Sequence, residues 1–128
     1  MCVVVDYSEH FLTLMENLSD VEQELLGDLA LYIELNGLAD LPGRNKKSND
    51  FPETFQGKKR IEAENFVKIN SLWHYHVGYI TYRKRNIRGD WTSEYVVHYQ
   101  NLTEKNIRFV HYSSHYPYFC NPLPQYLN

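Results

Sequence analysis

A chain of 128 residues with 43% hydrophobic and 23% charged residues is sized for one domain, residues 1–128, with one modest core. No apolar run approaches the ~20 residues that cross a bilayer, and the apolar run at residues 2–5 is too short for a signal peptide, so a cytoplasmic protein with no membrane partner is expected. The net charge of −3 joins two opposite parts: residues 1–41 carry nine acids and no Lys or Arg, whereas residues 42–128 carry all 13 Lys and Arg against 7 acids.

Residues 2–7 (CVVVDY) are β-branched and predict a first strand. Ser8 is placed to cap a helix whose Phe11, Leu12, Met15 and Leu18 follow a spacing of three and four. Ser19 with Glu22 three residues on forms a capping box. The helix it opens shows Val21, Leu25, Leu29, Tyr32 and Ile33 on one face and ends at Gly37. These elements form an acidic helical hairpin whose apolar stripes need a sheet to cover.

Residues 40–60 hold two Pro, two Gly and a run of bases, and predict a long basic loop extending to about residue 65, with at most a short helix over 58–65. From residue 66 the apolar period becomes two. Residues 66–69 suggest a short strand. Residues 72–83 suggest a long strand interrupted at Gly78, residues 83–90 a basic turn, and residues 93–100 and 107–112 two further strands. The tail, with Pro117, Pro122 and Pro124, cannot be a helix interior. The fold expected is α+β: an N-terminal strand and a two-helix hairpin packed on an antiparallel β-meander. Cys2 and Cys120 are too few and too far apart for a zinc motif or a disulfide framework.

The stretch LWHYHVG at residues 72–78 sets two imidazoles on alternate positions. Trp73, Tyr75 and Val77 suit a face covered by the helices, which puts His74 and His76 on the other. In the next strand Tyr95, Val97 and Tyr99 suit the covered face and leave Glu94, Val96 and His98 opposite. The last strand is ambiguous, because Ile107, Phe109 and His111 alternate with Arg108, Val110 and Tyr112. With one helical layer, the second face is open, and histidines from neighbouring strands line it.

Three readings of that face remain. Polar residues are ordinary on an open sheet. Imidazoles on adjacent strands can also meet one metal ion, although no acidic or cysteine ligand is obviously paired with them and no HExxH-like signature occurs. The third reading is chemical. Imidazoles exchange protons near neutral pH, arginines neutralise phosphate, and tyrosines stack on bases. Together they suit RNA cleavage through the 2′-hydroxyl: one group accepts its proton, cations stabilise the phosphorane, and another group protonates the leaving oxygen. No cofactor or metal is required for that route.

The element order, with Gly43-Arg44-Asn45-Lys46, Ser48-Asn49-Asp50, LWHYHVG at 72–78, SEYVVHY at 93–99 and Ser114-His115-Tyr116-Pro117, resembles the RelE/ParE superfamily of toxins from type II toxin–antitoxin systems, and within it the YafO-like branch. The resemblance covers nearly the whole chain. It implies a RelE-like fold and a ribosome-associated mRNA endoribonuclease that inhibits translation, with a cognate antitoxin, mRNA and the ribosome as partners. Carried onto this sequence it implies His98, His111, His115 and Tyr116 for proton transfer, and His74, His76, Arg83, Arg85, Lys46 and Tyr112 for RNA or phosphate contact. The chain departs from the pattern in its acidic helices and in a long turn at 84–90. A gyrase poison of the ParE type, or a non-enzymatic domain that binds nucleic acid or a partner, are the alternative functions.

Overall fold

The structure, a computed structural model, describes residues 3–49, 51, 53–84, 87–115 and 119–128. Two expected site residues, Arg85 and Tyr116, lie outside the described residues. The described residues form an α+β domain with a five-stranded mixed sheet. None of its helices is long and apolar enough to cross a membrane.

Strand β1 (Val4–Tyr7) leads into α1 (Glu9–Glu16) and α2 (Asp20–Asn36). Ser8 caps α1 by accepting the Phe11 amide at 3.1 Å, and Ser19 and Glu22 make the reciprocal capping box of α2. Gly37, with φ of 73°, ends α2. The stripe that α2 buries is Leu26, Ala30 and Ile33, with Leu25, Leu29 and Tyr32 flanking it. Val21, expected on that stripe, is 63% exposed.

The segment expected to be loop holds two elements. Residues Asn45–Lys47 form β2, an edge strand, and Gly57–Asn70 form α3. Helix α3 replaces the short strand expected at 66–69. Its sequence hides it, because Val67 is its only fully buried residue and no apolar stripe runs its length. The i,i+4 pairs Lys58–Glu62 and Arg60–Glu64 support its exposed side.

Strand β3 (Leu72–His76) stops seven residues short of the expected end. The chain turns at Gly78, where φ is 85° and the Tyr82 ring packs across the α-carbon. Strands β4 (Tyr95–Thr103) and β5 (Asn106–Ser114) complete the sheet, in the order β1-β5-β4-β3-β2. The β2, β3, β4 and β5 neighbours pair antiparallel, while β1 lies parallel to β5, so the sheet is mixed and only its later strands form the expected meander.

A bulge resolves the ambiguity of β5. His98 pairs with His111 and Tyr99 pairs with Phe109, which leaves Val110 as the extra residue. The extra residue shifts the alternation. Ile107 and Phe109 face the hairpin before it and Tyr112 faces the hairpin after it, in one core with Phe11, Leu26, Ile33, Tyr75, Val97 and Tyr99. His111, paired across from His98, falls on the opposite side with His74 and His98.

That opposite side is covered, which corrects the expectation of an open face. Val67 of α3, Leu72, Val110 and Leu127 of a short 3-10 turn (Pro124–Leu127) form a second core. The chain therefore has three layers: the acidic hairpin, the sheet, and α3 with the tail.

Candidate functional site

The register aligns four residues in a row across the sheet. Lys46 pairs with His74, His74 with His98, and His98 with His111. Cross-strand partners share a face, so this is one file of side chains. Helix α1 extends it: His10 Nε2 lies 2.9 Å from His111 Nδ1. A second, shorter file runs beside it, where His76 of β3 and His115, just beyond β5, bring their rings to 5.0 Å. His74 joins the two files, with ring centroids 5.9 Å from both His76 and His115. All six histidines of the chain, from residue 10 to residue 115, thus form one connected group.

Each ring is held by a specific partner. Ser48 Oγ, fully buried, lies 2.9 Å from His74 Nδ1. His76 Nδ1 sits 2.9 Å from the Ser93 carbonyl oxygen and 3.0 Å from the Ser93 amide nitrogen, so one peptide fixes this ring in either tautomer. Ser113 Oγ is 2.8 Å from His98 Nε2, and His98 Nδ1 has no hydrogen-bond partner among the described residues. Tyr126 stacks on His10 at 3.7 Å and on His111 at 4.7 Å. Phe119 closes the group from the tail, 4.3 Å from the His74 ring and 5.4 Å from those of His98 and His115. Phe119 also lines a mainly apolar cavity of about 510 Å³ with Phe51, Phe55, Phe66 and Pro122, at whose wall Lys59 and Glu62 also stand.

Burial sets the protonation of the group. His74, His76 and His98 are 3%, 2% and 0% exposed, whereas His10, His111 and His115 are half-buried. Desolvation pushes His76 down to about 4, against a smaller upward pull from the Ser93 hydrogen bond. Desolvation and then the neighbouring His10 push His111 down to about 4. Desolvation holds His98 well below the usual imidazole range, and His111, His74 and His115 act in the same direction. His10 is lowered by burial as well. Burial therefore favours the uncharged form of these four rings.

The expected site residues fall into three sets. His74, His76, His98, His111, His115 and Lys46 come together. Arg83 lies apart on an exposed loop, where its backbone exchanges hydrogen bonds with Thr92. Tyr112 is on the wrong face: it is buried under the hairpin, and its hydroxyl donates to Glu22 Oε2 at 2.8 Å. Full burial also removes His98 from direct contact with a polymer. Arg44, in the basic part, is engaged by Asp90 through two hydrogen bonds of 2.6 and 3.2 Å.

The sequence reading missed His10, Ser93, Ser113, Phe119 and Tyr126. His10 lies in the acidic part with no motif around it. The partnership of Ser48 with His74 is visible only once β2 is known to be a strand.

No known family profile matches this chain, and neither a curated protein nor a solved structure matches it.

Proposed function

We propose that this chain is an RNA-cleaving toxin that halts translation and is held in check by a cognate antitoxin. The observation that carries this reading is the gathering of all six imidazoles into one group, with Lys46 at the end of its row. Cleavage through the 2′-hydroxyl needs proton acceptors and donors beside a cation, and each such proton transfer is worth on the order of 10²–10⁴ in rate.

The burial pattern supports a division of roles within this reading. His115, half-buried and at the end of the group, is the catalytic residue that meets the RNA. His76 and His74 behind it are positioning residues, oriented by Ser93 and Ser48. His98 acts through Ser113 and not on substrate. Lys46 supplies charge at the phosphate, and Arg83 adds to the basic surface. The acidic hairpin on the other side of the sheet repels a polyanion, so RNA approaches from the basic side.

Pulsed expression with mapping of transcript ends tests this reading. The expected result is cut mRNA and arrested protein synthesis, abolished by His115→Gln in a folded chain. DNA damage with filamentation and intact mRNA would instead identify a gyrase poison. Growth without either effect would leave a non-enzymatic binding domain.

A further inference from the structure

We propose that His74, His76 and His115 form a binding site for a borderline divalent metal ion, Zn²⁺ above all. One ligand atom from each of the three lies within 4.8 Å of those of the other two. The two β3 histidines are two residues apart on one strand and therefore share a face, and the third comes from just beyond β5. Three imidazoles on a rigid sheet are a known zinc ligand set, which leaves a fourth position for water or an anion.

The surroundings match what such ligands need. A ligating histidine is oriented through its other ring nitrogen by a carbonyl or hydroxyl. Ser48 Oγ meets Nδ1 of His74, and the Ser93 peptide meets Nδ1 of His76. When His76 Nδ1 donates to the Ser93 carbonyl, Nε2 keeps the lone pair that coordination requires. Phe119 supplies an apolar wall. The donor set selects the ion: three imidazole nitrogens suit Zn²⁺, Co²⁺, Ni²⁺ and Cu²⁺, whereas Ca²⁺ and Mg²⁺ prefer all-oxygen coordination. A zinc–nitrogen distance of about 2.0–2.1 Å puts tetrahedral ligand atoms roughly 3.4 Å apart, so separations of up to 4.8 Å contract by at most about 1.4 Å on binding. His115, just beyond β5, is the least buried of the three ligands.

One consequence rests on the RNA-cleaving reading. A metal-bound His115 has no lone pair for a proton, so metal occupancy and cleavage exclude each other, and the ion silences the toxin.

The test uses the full, untagged chain stripped by chelator and titrated with Co²⁺. The expected result is visible d–d absorption saturating at one ion per chain and bleached by Zn²⁺. His76→Gln and His115→Gln should each weaken binding by more than about 100-fold. Should His76→Gln fail to fold, His115→Gln carries the test, with circular dichroism confirming its fold. Absence of the bands overturns the site. Binding that survives His115→Gln and vanishes in His10→Gln also overturns it, because the ion then sits at the other end of the group. The dependence on the RNA reading separates cleanly. A chain that binds Co²⁺ but never cuts RNA sinks that reading and leaves the site standing. Cleavage unchanged at saturating Zn²⁺ overturns the silencing.

Discussion

His10 Nε2 and His111 Nδ1 face each other at 2.9 Å across 101 residues of chain. At that distance one nitrogen carries a hydrogen and the other a lone pair, so the pair holds one proton between the two atoms. A further proton sets two N–H groups against each other in a partly dry setting, which agrees in direction with the lowered pKa of both rings.

Acid therefore destabilises the fold through this pair. The unfolded His111 takes up its proton near 6.5, the folded one only near 4. Between those values the unfolded state binds more protons, so stability present at pH 7 is lost as pH falls through that window. Allowing for solvent at a half-buried ring, His111 accounts for on the order of 1–2 kcal/mol of this loss. Urea midpoints at pH 7, 6 and 5 should fall steadily in the natural chain and less steeply in His111→Gln. Equal slopes for the two proteins would refute the assignment.

Ser48→Ala removes the hydroxyl that holds His74 and leaves a buried ring nitrogen without it. The expected cost is about 1–3 kcal/mol in chemical denaturation. A shift within error would mean that the Ser48 hydroxyl is not what orients the ring.

Tyr112→Phe separates the two faces of the sheet. It deletes the hydrogen bond to Glu22 under the hairpin and should cost about 1–1.5 kcal/mol, while the proposed RNA cleavage should keep its rate. Loss of cleavage in a stable variant would return Tyr112 to the RNA side.

Gly78→Ala tests the end of β3. An added methyl meets the Tyr82 ring at 2.5 Å, at a backbone φ of 85°. Strain of about 1–3 kcal/mol is expected from the conformation and contact together. An unchanged denaturation midpoint would show that the turn relaxes freely.

Lys46→Ala addresses the charge beside the imidazole row. For single-stranded RNA the slope of log affinity against log salt should fall by about 0.7, the share of one phosphate contact. An identical slope in both proteins removes Lys46 from the interface.

The sequence was legible where local signals were strong. Ser8, Ser19 with Glu22, and Gly37 mark both hairpin helices, and the alternation in 72–76 and 95–99 assigns faces that the structure keeps. It was illegible where the answer is tertiary. Helix α3 buries little beyond Val67, so no period betrays it, and without it the histidine face looked open. The phase of β5 depends on one extra residue, Val110, that only pairing with β4 reveals. The parallel partnership of β1 with β5 has no local signature, and it is α1 following β1 that brings His10 to His111.

The placing of β1 against β5 has a consequence for biosynthesis. The first strand of the chain waits for the last, and His10 waits for a partner made about a hundred residues later. A nascent chain halted before residue 106 lacks its edge pairing and two of its six imidazoles, His111 and His115. The sheet edge and the connected imidazole group therefore form late, once β5 and His115 have been made.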